Sequence, residues 1–257
     1  MSLHSLTFRA EEKVRKIIGA PTHSFDINPF ALDSAERARL ANNASSGLGK
    51  TFFAHQGRTV HKWIHYLDIY ERHFATYRNT PVKMLEIGVS KGGSLEMWRE
   101  YFGAGARIFG IDISPECAAC ATPPNQVRIG SQDDPRFLRS VVNELGVPDI
   151  ILDDGSHIAK HQSASFDVLF PFLREGGLYV IEDMHTSYWP VPFEGGYRHK
   201  GTAIERVKDM IDDMHAWYHN KATSTPAKEW IGAIHVYDSM VVIEKRKIER
   251  PSHIRVE

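Results

Sequence analysis

The fold of this chain is decided by residues 85 to 94, which read LEIGVSKGGS. Residues 82 to 87 are an apolar, strand-like run that leads into this glycine-rich turn, and a helical stretch follows from about Ser94. Gly88 and Gly92 allow the backbone to pass close to a ligand, and the start of the helix offers free N–H groups to it. Such turns also serve only to pack a helix on a strand. The turn therefore predicts the first unit of an α/β sheet, and by itself no particular ligand.

The order of strand and helix repeats as far as residue 183. Further strand-like runs occupy residues 107–111, 126–129, 148–152 and 178–181. Strands that alternate with helices form a parallel, doubly wound sheet. Two last runs, residues 231–236 and 240–244, are separated by only three residues, which is too short for a crossover and predicts an antiparallel hairpin. We therefore predict a Rossmann-like α/β sheet of seven strands, five parallel and two in a C-terminal hairpin.

The helices are predicted from caps and periodicity. Asp133-Asp134-Pro135 predicts a helix with Asp at its N-cap and Pro at its first position. Residues 159–173 and 202–218 are helical in pattern. Residues 1–80 are predicted as an N-terminal helical extension or lid on a domain of residues 81–257. Within the extension, residues 42–49 are turn-rich, and residues 61–77 form a helix with one apolar face made by Trp63, Tyr66, Leu67, Tyr70 and Phe74.

Polar residues after the second and third strands favour a nucleoside ligand. Asp112 ends the second strand about 20 residues past the glycine turn, where a carboxylate accepts ribose hydroxyls. Ser131, Gln132 and Asp133 follow the third strand, where the edge of an adenine would lie. As isolated residues, Asp112 and Asp133 are also explained as helix caps. Their combination with the glycine turn is what favours a nucleoside.

Acidic residues follow the next two strands. Asp154 comes after the fourth strand, and Glu182 and Asp183 come after the fifth. Ligands bind beyond the carboxyl ends of parallel strands, so we expect these three carboxylates to share one cleft. Like charges at close range are costly unless a cation is present, and hard oxygen ligands suit Mg²⁺. Singly, Asp154 is also explained as an Asx-turn residue and the other two as the start of a solvated loop. Asp153 should point to the opposite side of its strand, towards the cofactor or towards backbone donors.

The combined motifs resemble those of class I S-adenosylmethionine-dependent methyltransferases. The likeness rests on Glu86-x-Gly88-x-x-x-Gly92 after the first strand, on Asp112 after the second, and on the terminal hairpin. Within that superfamily, the stretch DGSH at residues 154–157 and the stretch EDMHTSYW at residues 182–189 resemble the macrocin and mycinamicin sugar O-methyltransferases.

This resemblance implies S-adenosylmethionine and Mg²⁺ as cofactors and a hydroxylated, sugar-like small molecule as the acceptor. Together with the positions described above, the predicted cofactor-binding residues are Glu86, Gly88, Gly92, Ser94, Asp112, Ser131, Gln132, Asp133 and Asp153. The implied metal ligands are Asp154, Glu182 and Asp183. Cephalosporin hydroxylase-like enzymes resemble the same pattern, but they would need a redox metal, and no two-histidine, one-carboxylate triad is evident. A non-catalytic nucleotide-binding protein is the other alternative.

His157 is the candidate general base. It lies three residues after Asp154 at a strand-to-helix turn, and histidine, with an ordinary pKa of about 6.5, suits proton abstraction near neutral pH. A base is needed because an aliphatic hydroxyl is almost fully protonated at that pH. The alternative is a cap on the following helix, a role that Ser156 could also fill. His161 is expected to be a solvated helix residue. Residues 190–201 form a predicted mobile loop, and the candidates for the acceptor pocket, or for ordinary packing, are His185, Tyr188 and Trp189.

The overall composition argues against other classes of partner. The net charge is −1, so no basic excess points to nucleic acid or to an anionic membrane surface. The N-terminal residues lack the charged-then-apolar pattern of a signal peptide, and a cytoplasmic location is the expectation. Cys117 and Cys120 form a lone C-x-x-C, more simply two small residues on a helix than a redox pair or half of a zinc site. The sequence is compatible with a homo-oligomer.

Overall fold

A computed structural model describes residues 32–257 of the chain. Its sheet has seven strands in the order β3-β2-β1-β4-β5-β7-β6. The strands are β1 (Lys83–Ile87), β2 (Arg107–Asp112), β3 (Gln126–Ile129), β4 (Ile150–Asp153), β5 (Leu178–Ile181), β6 (Ile231–Tyr237) and β7 (Met240–Lys245). The first five strands pair in parallel, and β7 pairs antiparallel with both β5 and β6. The predicted sheet of five parallel strands and an antiparallel hairpin is confirmed.

Helices cover both faces of this sheet. Within the described residues the α-helices are α1 (Ser34–Asn43), α2 (Gly47–Ala54), α3 (Tyr66–Phe74), α4 (Gly93–Phe102), α5 (Pro135–Leu145), α6 (Ala159–Leu169), α7 (Ala203–Met214) and α8 (Ala227–Trp230). Short 3₁₀ helices occupy Ala75–Tyr77, Pro115–Cys120, Phe170–Phe172 and Met184–Tyr188. No helix in this part of the chain is long and apolar enough to cross a membrane.

The core has two layers because successive side chains of a strand point to opposite faces. On β1, Met84 joins the layer under α2, α3 and α4, whereas Leu85 joins the layer under α5, α6 and α7. Trp98 of α4 is fully buried in the first layer, against Tyr70 and Phe74 of α3. Truncation of such a side chain to Ala typically costs about 3–5 kcal/mol. The same cluster includes residues of α2 and α3, so this part of the predicted extension packs directly on the sheet. Residues 1–31 of the predicted extension lie outside the described residues.

The strand order places a crevice beside β1. The chain leaves β1 towards β2 on one side, and β4 occupies the other side. A sheet that reverses its order in this way opens at the carboxyl ends of the two central strands. Asp153 pairs with Ile181 in the β4–β5 register, so Asp154 and Glu182 emerge side by side at this edge.

Some predicted boundaries are wrong. The helix expected at residues 61–77 begins only at Tyr66, and residues 57–63 are non-helical. Lys62 and Trp63 in this segment reach side chains at the strand ends, and such tertiary contacts override helical periodicity. The turn-rich stretch at 42–49 includes the end of α1 and the start of α2, which Ser46 caps. The helix predicted at 202–218 ends at Met214.

Candidate active site

The crevice forms a cavity of about 470 Å³ at the carboxyl ends of the central strands. Its walls come from the glycine turn after β1, the loops after β2, β3, β4 and β5, and residues 59–63. The predicted site residues that line it are Gly88, Ser94, Asp112, Ser131, Gln132, Asp154, His157, Glu182 and Asp183. Four others, Glu86, Gly92, Asp133 and Asp153, lie outside the lining.

Gly88 is required where the turn approaches the loop after β4. Its φ is +93°, and a Cβ at this position would overlap the carbonyl oxygen of Asp154. A side chain here would therefore meet both backbone strain and a steric clash. Gly92 also has a positive φ, +81°, and a Cβ there would lie 2.7 Å from Cβ of Cys120. This contact places Gly92 against the 3₁₀ helix that carries the two buried, unbridged cysteines.

Asp112 organises the turn from the end of β2. Its Oδ2 accepts hydrogen bonds from the backbone N–H groups of Val89 (2.9 Å) and Ser90 (3.0 Å), and its Oδ1 accepts one from Ser114 (2.8 Å). Burial acts to raise the pKa of Asp112, but these backbone donors outweigh it and hold the pKa below its ordinary value. Asp112 therefore places a negative charge in the cavity lining and holds the glycine turn through its hydrogen bonds.

Glu86 and Asp153 are buried supports of the site. Oε2 of Glu86 accepts a hydrogen bond from Ser94 Oγ at 2.9 Å, and burial raises the pKa of Glu86 to about 7. Oδ2 of Asp153 accepts from Ser165 Oγ at 2.6 Å, and its Oδ1 accepts from Gln132 Nε2 at 3.2 Å. Of the two expectations for Asp153, the structure therefore favours the satisfaction of nearby donors, here mainly side chains.

The loops after β3 and β4 are joined by polar contacts. Gln132 Oε1 accepts a hydrogen bond from the Ser156 N–H at 2.7 Å, which completes a chain from Asp153 through Gln132 to the 154–157 loop. His161 Nδ1 lies 2.9 Å from Ser156 Oγ, and His161 lines the cavity. His161 lies on α6, as expected for a helix residue, and its side chain is 21% exposed. The helix cap proposed for Asp133 belongs to Asp134, which accepts N–H donors from the first turn of α5.

Asp154, His157 and Asp183 meet on one side of the cavity. His157 Nε2 lies 3.5 Å from Asp183 Oδ2 and 4.0 Å from Asp154 Oδ1. The three side chains offer ligand atoms that all lie within 4.8 Å of one another. His157 and Asp183 both have left-handed backbones, with φ values of +57° and +53°. Unfavourable backbones of this kind concentrate at functional sites.

The other oxygen of Asp183 is held by the N-terminal segment. Its Oδ1 accepts hydrogen bonds from Trp63 Nε1 at 3.1 Å and from the Tyr66 hydroxyl at 2.8 Å. These donors leave Oδ2 beside His157. Nε2 is the nitrogen of His157 that faces the carboxylates, and Nδ1 is buried with no hydrogen-bond partner among the described residues.

Lys62 is a site residue that the sequence analysis missed. Its ammonium lies 2.5 Å from Asp154 Oδ2 and 2.7 Å from Glu182 Oε1. Tyr70 also donates a hydrogen bond to Glu182 Oε1. Burial alone would lower the pKa of Lys62, but the two carboxylates outweigh it and raise the pKa. No local signal marks Lys62, because its partners are 92 and 120 residues away along the chain.

The donor set fits a small divalent cation. Asp154, Glu182 and Asp183 contribute three formal negative charges, and Lys62 offsets one of them. Asp154 and Asp183 each have one oxygen held by protein donors and the other beside His157. Carboxylate oxygens are the ligands that Mg²⁺ prefers, and a divalent ion would balance the remaining charge. Glu182 lines the cavity, although its Oε1 is already bound by Lys62 and Tyr70.

The acceptor-pocket candidates lie outside the cavity lining. Trp189 packs on His185 with ring centroids 4.7 Å apart, and His185 packs on Trp63 at 5.8 Å. Tyr188 is 44% exposed. His185 Nδ1 lies 3.9 Å from Asp183 Oδ1. A role of the three residues towards an acceptor stays a prediction, as does closure of the loop at 190–201.

The seven-stranded sheet and its crevice define a Rossmann-like methyltransferase fold. No family model matches the chain, but individual proteins do. The chain is 36% identical to the 8-demethyl-8-(2-methoxy-alpha-L-rhamnosyl)-tetracenomycin-C 3'-O-methyltransferase of Streptomyces olivaceus, over 93% of this chain and 70% of that protein. It is 40% identical to the mycinamicin VI 2''-O-methyltransferase of Micromonospora griseorubida, over 68% of this chain and 47% of that protein. The chain belongs to this family of sugar O-methyltransferases of glycosylated natural products, which confirms the resemblance.

A solved structure agrees with this assignment. The MycE methyltransferase of the mycinamycin biosynthetic pathway, in complex with Mg, SAH (S-adenosylhomocysteine) and mycinamycin VI, superposes with a TM-score of 0.68 at 34% identity. The match covers 84% of this chain and 54% of that protein. The chain thus spans about half the length of several relatives that it matches, and 70% of the tetracenomycin enzyme.

Proposed function

We propose that this protein transfers a methyl group from S-adenosylmethionine to a hydroxyl of a glycosylated small molecule, with the help of Mg²⁺. The observation that carries the proposal is the convergence of Asp154, His157 and Asp183 in the same cavity as the glycine turn. Methyl transfer needs the donor and the acceptor oxygen side by side and in line, and one shared cavity meets this need. The names of the relatives, and the Mg and SAH bound to MycE, support the same reading.

The cofactor is assigned to the half of the cavity at the ends of β1, β2 and β3. Gly88 permits close approach of a ligand to the turn, and Asp112 carries a carboxylate with remaining capacity to accept ribose hydroxyls. Ser131 and Gln132 line the wall after β3. Of the nine predicted cofactor residues, we therefore propose Gly88, Ser94, Asp112, Ser131 and Gln132 as direct contacts. The other four position them.

The metal is assigned to Asp154 and Asp183, with Glu182 beside them. Bound Mg²⁺ supplies Lewis-acid chemistry, which lowers the pKa of an acceptor hydroxyl and orients it. Lys62, Trp63 and Tyr66 hold the remaining oxygens of the two aspartates in place. Hydrogen-bond partners of this kind fix the orientation of the carboxylates that bind a metal.

His157 is proposed as the general base. The acceptor oxygen forms a bond to the methyl carbon, the carbon–sulfur bond breaks, and the hydroxyl proton passes to Nε2 of His157. Asp154 and Asp183 then stabilise the imidazolium, because their carboxylates lie 4.0 Å and 3.5 Å from this nitrogen. General-base catalysis of this kind contributes roughly 10²–10⁴-fold to a rate.

The test is a methyl-transfer screen with labelled S-adenosylmethionine. Acceptors are rhamnosides and other deoxyhexosyl glycosides, their aglycones, and a catechol, each with Mg²⁺ and with excess chelator. We expect transfer to glycosides only, and its loss with chelator. Asp154→Asn should abolish transfer, whereas Asp167→Asn, which alters an exposed ion pair with Arg206, should not. Full activity in chelator would refute the metal assignment, and transfer to the catechol alone would refute the acceptor class. A cytoplasmic location and a homo-oligomeric state stay predictions.

A further inference from the structure

A second cluster of metal-ligating side chains lies at the sheet edge, away from the active-site cavity. It consists of His73 on α3, His235 on the edge strand β6, and Glu244 on β7. These residues offer ligand atoms that lie within 4.8 Å of one another, and none of them lines the cavity. We call this set the edge cluster. It joins helix α3 to the C-terminal hairpin, two parts of the chain that are far apart in the sequence.

The hairpin register explains how the edge cluster forms. His235 pairs with Val242, so Glu244 is its diagonal neighbour on the same face. His235 Nε2 lies 2.6 Å from Glu244 Oε1. The ring of His73 reaches over from α3, with its centroid 4.7 Å from that of His235. Its Nε2 lies 2.9 Å from the Tyr237 hydroxyl.

The chemistry of the edge cluster differs from that of the active site. Two imidazoles and one carboxylate are a ligand set that Zn²⁺ uses when a fourth position is left to water or another group. Imidazole-rich sites favour zinc and similar transition metals, whereas all-oxygen sites suit Mg²⁺. Burial, with the nearby His235 and Arg72 charges, lowers the pKa of His73 to about 4, against a weaker opposing effect of Glu244. A neutral imidazole with an available lone pair is the form that binds a metal.

We propose that His73, His235 and Glu244 bind a zinc ion that clamps helix α3 to the C-terminal hairpin. The clamp would stabilise the helix that supplies Tyr66 and Tyr70, the two tyrosines that hold Asp183 and Glu182. All three ligands lie outside the active-site cavity, so the ion would link α3 to the hairpin, with its fourth coordination position open to water. The inference does not rest on the proposed methyl transfer.

The experiment is calorimetric titration of the metal-stripped full chain with Zn²⁺, in 10 mM Mg²⁺ so that the acidic active site is occupied. We expect one Zn²⁺ per chain and an increase in Tm of about 5 °C once free zinc exceeds Kd 100-fold. His235→Ala and Glu244→Gln should each weaken binding at least tenfold and remove the increase in Tm. His219→Ala, which alters an exposed histidine elsewhere, should leave both unchanged.

Two further variants keep the outcome decisive. His157→Asn removes the imidazole of the active site, so zinc binding that persists in it does not depend on that imidazole, and its loss in His235→Ala and Glu244→Gln assigns it to the edge cluster. Melts without zinc show whether His235→Ala folds, and His235→Gln replaces it if it does not. Zinc binding of equal affinity in wild type, His235→Ala and Glu244→Gln would overturn the proposal. So would the loss of zinc binding in His157→Asn alone.

Discussion

The ammonium of Lys62 lies 2.7 Å from Glu182 Oε1, across 120 residues of sequence, with both side chains only 2% exposed. The same nitrogen contacts Asp154 Oδ2, so one buried cation joins the two strand ends that carry the acidic cluster. A buried charge that loses its partner is strongly destabilising. The segment around residue 62 therefore contributes directly to the site.

Replacement of Lys62 should destabilise the protein as well as inactivate it. Lys62→Met leaves Asp154 and Glu182 crowded without their buried counter-charge, and we expect a loss of about 3–5 kcal/mol in the free energy of unfolding. Lys160→Met is the matched control, since Lys160 forms an exposed ion pair of the same length, 2.7 Å, with Glu194. Such a pair contributes about 0–1 kcal/mol. Urea unfolding measures both, and equal losses would contradict the role given to Lys62.

Substitution of His157 should remove turnover but not the binding of cofactor. His157→Asn is the suitable variant, because Asn tolerates the left-handed backbone at this position better than Ala. We expect kcat to fall by about 10²–10⁴, with the affinity for S-adenosylmethionine unchanged. The affinity for Mn²⁺, followed by electron paramagnetic resonance, distinguishes the two possible roles. It stays unchanged if His157 is only a base, and it falls if His157 is a metal ligand. A kcat within threefold of wild type would exclude His157 as the base.

The charge of Asp183 should be needed for metal binding while its hydrogen bonds are needed for position. Asp183→Asn keeps an oxygen to accept from Trp63 and Tyr66, but it removes the anionic ligand. We expect Mg²⁺ affinity to fall at least tenfold in calorimetric titration, with the Tm nearly unchanged. Unaltered Mg²⁺ affinity would show that Asp183 lies outside the metal site.

Gly88 should tolerate no side chain. In Gly88→Ala, the new Cβ would overlap the Asp154 carbonyl oxygen at a φ of +93°, so the turn must shift away from the 154–157 loop. We expect loss of cofactor binding in equilibrium dialysis. Gly176→Ala is the control for backbone strain alone, because its φ is +79° and nothing lies within 4 Å of its Cβ. That variant should lose about 1–2 kcal/mol of stability and bind cofactor normally.

Acidification should weaken the packing of α3 on the hairpin. The pKa of His73 is about 4 in the folded protein and about 6.5 when unfolded, so the unfolded chain binds more protons between these values. The free energy of unfolding therefore falls as pH decreases from 6.5 towards 4. His73→Gln should show a shallower fall than wild type in urea titrations across this range. If the free energy of unfolding fell equally with pH in wild type and His73→Gln, the lowered pKa of His73 would be contradicted.

Much of the fold was readable from local pattern. Local signals predict the sheet, and the observed sheet agrees with them. They are the strand-like runs, the turn at Gly88 and the short link at residues 237–239. The acidic residues after β4 and β5 were also readable, because strand ends meet at one edge. Glu86 and Asp153 are predicted cofactor residues, but both are buried and lie outside the cavity lining. The reason is that burial depends on which helix packs over each strand end.

The chain alone was sufficient for the seven-stranded sheet, the glycine turn and the acidic cluster, because these depend on periodicity and on residues close in sequence. Only the tertiary structure brings Lys62 between Asp154 and Glu182 and assembles the edge cluster. It also keeps residues 61–63 out of the helix, which begins at Tyr66. These contacts join residues that are far apart in sequence. Their energy comes from charges and imidazoles that meet only after the layers have packed, so no local stretch encodes them.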